Sequence, residues 1–94
     1  MREIAITNQY KKDLKAARKQ RLPEQKLDEI VRTLACDEPL PAKCRDHALH
    51  GNLEGFRECH IEPDWLLIYR KEDTTHIQLL LLVRTGTHAK LFGM

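Results

Sequence analysis

Nothing in this chain of 94 residues is long and apolar enough to mark a membrane span. No uninterrupted apolar run exceeds five residues, the length of Leu79–Val83, against roughly 20 for a spanning helix. The N-terminus lacks the apolar stretch of a secretory signal, so export is not expected. Cysteine is sparse and odd in number: Cys36, Cys44 and Cys59, with no C-x-x-C pair. A secreted disulfide scaffold needs an even and denser set, so the thiols are read as reduced packing residues and the chain as cytoplasmic. Internal repeats, low-complexity tracts and linkers are also missing. The length then fits one domain, residues 1–94, with a single modest core.

Charge is present but unevenly placed. The formal net charge is only +2. Between Tyr10 and Arg21, however, six basic residues stand against one acid, Asp13, which makes that segment +5. From residue 48 onward five bases meet six acids. The small total therefore hides a basic stretch. It is either a solvated face or a surface for phosphates, where affinity is sequence-independent and salt-sensitive. Histidine is abundant: there are five, and His47, His50, His60 and His88 lie beside polar, turn-rich sequence.

Residues 2–7 read as a short strand with Ile4 and Ile6 apolar. Thr7 or Asn8 can cap a helix to about Gln20, whose thin apolar face is Tyr10, Leu14 and Ala17. Pro23 suits the first turn of a second helix. There Leu27, Ile30, Val31, Leu34 and Ala35 recur at i, i+3, i+4, i+7 and i+8, and the helix ends near Cys36 or Asp37, ahead of Pro39. Asp37 to about Leu53 has no periodicity, and a stretch of that kind in a small domain is often functional. Three strands follow, Gly55–His60, Trp65–Arg70 and His76–Arg84, joined by turns at Glu62-Pro63-Asp64 and Glu72-Asp73-Thr74. Apolar residues on both parities of the last two strands predict either central, doubly covered positions or one face covered by helices and the other partly by the tail. The expected fold is α+β with the order β-α-α-β-β-β: a mainly antiparallel, twisted sheet with a two-helix hairpin on one face.

An antiparallel meander brings His60, Asp64 and Arg84 to one end of the sheet, where His88 and the long loop with His47 and His50 can close over them. Three chemistries compete. Zinc is disfavoured, because neither His47/His50 nor His60/Asp64 has the helical i, i+4 spacing and no cysteine pair assists. Each histidine taken singly also fits an ordinary surface or core residue. The third reading is acid–base cleavage of RNA, which needs a base for the 2′-OH, an acid for the leaving 5′-oxygen and a cation for the phosphorane. The histidines, Asp64 and Arg84 supply each part. Trp65 or Phe92 is a candidate stacking surface for a base, or else a core residue.

Several motifs make the third reading specific. Asp46-His47-x-Leu49-x-Gly51, the run Arg57-x-x-His60-x-Glu62-Pro63-Asp64-Trp65-x-Leu67-Ile68-Tyr69, and Arg84-Thr85-Gly86-Thr87-His88-x-x-Leu91-Phe92 together resemble the YafQ-type toxins of the RelE/ParE superfamily. Gln9-Tyr10 and Lys12-Asp13 extend the resemblance to essentially the whole chain. It implies a type II toxin, a ribosome-dependent endoribonuclease that cuts mRNA in the ribosomal A site without metal or cofactor. It also implies neutralisation by a cognate DinJ/RelB-like antitoxin. By motif, His47, His60, Asp64 and His88 are the catalytic residues, Arg84 the phosphate-stabilising cation and Phe92 an mRNA-positioning residue. His88 and His60 are then assigned to proton transfer, Asp64 to orienting or activating one of them, and His47 to stabilising charge or serving as an alternative acid. His50 stands where the family commonly has glutamine and is given no role; His76 is read as incidental. On a ribosome, Lys11, Lys12, Lys15, Arg18 and Lys19 would face rRNA phosphates. No helix-turn-helix signature appears, so DNA contact is expected only through the antitoxin. A gyrase-poisoning ParE-like toxin, and a catalytically silent member that binds RNA or antitoxin, are the competing readings.

Overall fold

Thr7 is the joint between the first strand and everything above the sheet. In this computed structural model, which describes residues 1–93, β1 (Glu3–Ile6) passes through Thr7 into α1 (Asn8–Lys19). The Thr7 hydroxyl accepts from the Tyr10 N–H at 2.9 Å, capping α1, and donates to the Val83 carbonyl at 2.7 Å. Both helices then stop in the same way. Arg21 takes a left-handed conformation (φ 57°), and the Leu22 N–H bonds back to the Ala17 carbonyl at 3.1 Å. After α2 (Glu24–Ala35), Asp37 does likewise (φ 56°), with the Glu38 N–H on the Thr33 carbonyl at 3.0 Å. Neither stop uses the customary glycine. Arg18 bridges the hairpin through two bonds to Glu24, 2.8 and 2.9 Å.

Beyond α2 lie β2 (His47–Ala48), β3 (Arg57–Glu62), β4 (Trp65–Asp73), β5 (Gln78–Gly86) and a short α3 (His88–Phe92). The sheet order is β1-β5-β4-β3-β2. β1 runs parallel to β5, and the other pairs are antiparallel. The strands with apolar residues on both parities, β4 and β5, are indeed central. Trp65, Leu67, Tyr69, Leu80, Leu82 and Cys59 face the helices and pack with Tyr10, Ala17, Leu27, Leu34 and Ala35. Burying each large apolar side chain contributes roughly 1.5–3 kcal/mol. Leu66 and Ile68, on the opposite parity, are equally buried but face the other side of the sheet.

Four details depart from the expected elements. β3 begins at Arg57 rather than Gly55, because Gly55 (φ 92°) belongs to the turn before it. β5 begins at Gln78, since Thr74 organises residues 74–77 into a turn by accepting the N–H groups of His76 and Ile77. The aperiodic segment holds two 3-10 turns, Ala42–Cys44 and Gly51–Leu53, around β2. The tail is not featureless, because Thr87 caps α3 through the Lys90 N–H at 3.1 Å. Among the described residues, no helix is long and apolar enough to cross a membrane.

Candidate active site

Strand alternation builds the site. Glu58 and His60 are two apart on β3 and pair with Ile68 and Leu66, so both project from the face opposite the helices. His47 on β2 pairs directly with Glu58 and joins the same row. One Glu58 carboxylate oxygen lies 3.9 Å from Nε2 of His47 and 3.7 Å from Nε2 of His60. A β-bulge between His60 and Glu62 ends the regular pairing beside the row. His47 is oriented by its neighbours. Its Nδ1 lies 2.6 Å from the Arg45 carbonyl, which can only accept, so Nδ1 carries the proton and Nε2 faces Glu58. Arg45 is left-handed (φ 48°), and Asp46 is pinned to the sheet by the Tyr69 hydroxyl at 2.6 Å and Arg57 Nε at 3.2 Å.

The other half of the site comes from α3. In the turn between β3 and β4, Asp64 accepts the His88 backbone N–H at 3.1 Å and its Nδ1–H at 2.7 Å through the same oxygen. These two bonds, the side-chain one first, hold the Asp64 carboxyl below its usual range. The His88 proton is thereby fixed on Nδ1 and Nε2 is left free, as in an imidazole–carboxylate pair of a hydrolase. The rings of His60 and His88 are 5.6 Å apart, tilted by 59°. Gly86 lets α3 fold back closely on the end of β5: a Cβ there would meet Lys90 Cδ at 3.1 Å and Leu91 Cδ2 at 3.4 Å. One ligand atom each from Glu58, His60 and His88 fall within 4.8 Å of one another, a donor set that fits a divalent cation.

Arg84 is held from behind by α1. Its Nε and Nη2 donate to the buried Asp13 carboxylate at 3.1 and 3.0 Å. The same carboxylate accepts from the Thr85 N–H and Gln9, with Lys90 Nζ 3.4 Å away. Burial pushes the Asp13 carboxyl up, but the bonds from Arg84, Gln9 and Thr85 prevail and its pKa falls below the ordinary value. Two cations around one anion leave this group with a net positive charge.

The structure therefore brings His47, His60, Asp64 and His88 together and adds Glu58, which the motif reading missed. Period-two alternation was the available signal, since it places Glu58 on the face of His60. Trp65 requires a correction. It is 2 % exposed in the helix-facing core, so no base can stack on it, and its indole N–H is buried without a partner among the described residues. Phe92 is half-buried at the end of α3. Lys11, Lys12, Lys15, Arg18 and Lys19 are all exposed on α1, which packs over β5, with Arg18 already tied to Glu24. His50 and His76 are exposed in turns.

A mixed sheet backed by a helical hairpin, with imidazoles and carboxylates gathered on its open face, defines a toxin of the RelE-like class. Residues 2–93 match the family model described as bacterial toxin of type II toxin-antitoxin system, YafQ, and the chain belongs to that family. It is 45% identical to the mRNA interferase toxin YafQ of Escherichia coli K12 over 93 residues, covering 98% of this chain and 97% of that protein. The toxin in the crystal structure of the E. coli DinJ-YafQ toxin-antitoxin complex superposes with a TM-score of 0.87 at 45% identity, with 98% of each chain covered. A copper-bound mutant toxin from Helicobacter pylori gives a TM-score of 0.90 at 36% identity, covering 98% of this chain and 100% of that one.

Proposed function

We propose that this type II toxin is an endoribonuclease that cuts mRNA in the ribosomal A site by metal-independent acid–base chemistry. A cognate antitoxin of the DinJ/RelB kind neutralises it in the cytoplasm. The named relatives support the activity class and the partner: one is an mRNA interferase toxin, and another is bound to an antitoxin. The observation that carries the reaction is the pair of imidazoles 5.6 Å apart, one oriented by Asp64 at 2.7 Å and the other beside Glu58.

In the proposed step a base removes the 2′-OH proton, and the resulting oxygen attacks the adjacent phosphorus. An acid on the opposite side gives a proton to the 5′-oxygen as the P–O bond breaks. His88 and His60 share these two roles, and Glu58 sets a carboxylate beside two of the rings, 3.7 Å from Nε2 of His60 and 3.9 Å from Nε2 of His47. Arg84, positioned by Asp13, supplies positive charge to the phosphorane. His88 and His47 are 38% and 50% exposed, so the cluster lies on an open surface that needs another body to present the strand. The ribosome fills that need, and the exposed cations of α1 offer it a phosphate-binding face.

Single-turnover mRNA cleavage on ribosomes tests the assignment. His60→Ala, Asp64→Ala, His88→Ala and His47→Ala should each slow cutting, and loss of a general acid or base costs about 10²–10⁴-fold. Wild-type rates in all four would refute it. Toxin stripped of metal by a chelator, then freed of the chelator and added to ribosomes kept in magnesium, should cut at an unchanged rate. A rate lost on stripping and restored by a transition metal such as zinc or copper would instead make Glu58, His60 and His88 metal ligands.

A further inference from the structure

A second feature adjoins the site and shares with the chemistry above only His60 and the Arg45 carbonyl. Among the described residues β2 covers β3 only at Arg57 and Glu58, so the outer edge of the residues that follow carries no strand. Along it runs a groove of about 410 Å³ between the Ala42–Cys44 turn, the start of α2 and the end of β3. That volume lies in the range of about 300–1,000 Å³ typical of ligand sites. His60 forms one wall, so the groove opens directly onto the reactive row. Ile61 and Pro63 give it an apolar surface, and Lys43 and Arg45 line it with charge.

The charges do not cancel. Lys26 and Glu62, also in the lining, neutralise each other at 3.0 Å. Lys43 and Arg45 have no carboxylate within ion-pair distance among the described residues, which leaves the groove with two unmatched positive charges. Arg45 is further coupled to the chemistry, because its own carbonyl sets the tautomer of His47. Unmatched cations over an apolar floor, ending at an imidazole, suit a single-stranded polyanion whose bases contact the floor while its phosphates meet the rim.

We propose that this groove carries the RNA strand next to the bond being cut, with Lys43 and Arg45 each neutralising one phosphate. The inference rests on the endoribonuclease reading and deepens it by giving the strand a path on the protein. The cations of α1 lie on a different surface, over β5, so they do not form this path.

The probe is a fluorescent 2′-O-methyl oligoribonucleotide, which binds but has no 2′-OH to attack. Its affinity for the intact protein is measured by anisotropy against salt concentration. Lys43→Gln and Arg45→Gln should each flatten the log–log salt slope by about 0.7, and the double variant by about 1.4. Arg45→Lys should restore most of the slope. On ribosomes the same Gln variants should raise KM more than they lower kcat, because neither side chain reaches the reacting atoms. An unchanged slope in the double variant, with wild-type mRNA cutting intact, overturns the groove and leaves the endoribonuclease reading standing. An unchanged slope accompanied by weakened antitoxin binding overturns it in favour of an acidic peptide. A flattened slope in a protein that cuts no mRNA keeps the groove and overturns the enzyme.

Discussion

Replacing Asp13 by alanine is the most demanding test of how α1 supports the site. Asp13 is 1 % exposed, and its carboxylate gathers Arg84, Gln9 and the Thr85 N–H. Thr85 is fully buried, so its amide would lose its acceptor where water cannot replace it, a cost of about 1–3 kcal/mol. Arg84 would lose two charge-assisted bonds, worth about 1.5–3 kcal/mol for a hydrogen bond to a charged group. With its side chain 29% exposed, however, it recovers part of this by hydration. The sum falls at the low end of the roughly 3–5 kcal/mol typical for orphaning one member of a buried pair, so about 3 kcal/mol is expected. With a urea slope near 1 kcal/mol per molar, the unfolding midpoint should fall by roughly 2–3 M without a change in slope. The sign of the pH dependence follows from the depressed Asp13 carboxyl. Its contribution is complete above the ordinary value of 3.8 and disappears as pH falls through the lower folded value. Asp13→Ala should therefore flatten the acid limb of the stability curve. A double-mutant cycle with Arg84→Ala should show the two losses to be strongly non-additive. A loss under about 1 kcal/mol, or additive losses, would refute the reasoning.

Two further outcomes follow from local geometry. Trp65→Phe removes an indole N–H that has no partner, so it should cost only the packing of a smaller ring, about 1–2 kcal/mol, and leave RNA affinity unchanged. Anisotropy with the same oligoribonucleotide checks this, and a fall in affinity at unchanged stability would contradict the core placement. Thr87→Ala removes the α3 cap, a local loss of about 1 kcal/mol. Single-turnover cleavage should drop because His88 opens this helix, Thr87→Ser should restore it, and equal rates in both would refute the link.

What the sequence revealed follows the range of the interactions. The α2 stripe and the apolar double parity of β4 and β5 are local patterns, and each predicted its element. The motif residues His47, His60, Asp64 and His88 do meet, because a meander places strand ends together whatever the exact boundaries. Glu58 escapes a motif reading because a lone carboxylate carries no signal until strand register sets it opposite His47 and on the pleat face of His60. α3 was missed because five residues carry too little periodicity to register. The Asp13–Arg84 pair joins residues 71 apart and leaves no local trace. Trp65 was misplaced because an aromatic at a strand start looks alike whether it faces solvent or a helix hairpin.

The parallel pairing of β1 with β5 has a consequence for the order in which the molecule is made. Thr7 waits for a carbonyl 76 residues later, and Asp13 for a guanidinium 71 residues later. Until β5 is made, the first third of the chain therefore has an unpaired strand edge and an unneutralised acid. It acquires its partners only when β5 has been translated. Contacts of such sequence separation slow folding, since loop closure precedes the contacts that offset it. The site itself cannot assemble sooner, because His88 follows β5 directly. A growing copy of the toxin therefore lacks part of its site until the last residues are made, and the contacts that complete the site are the ones that tie the two ends of the chain together.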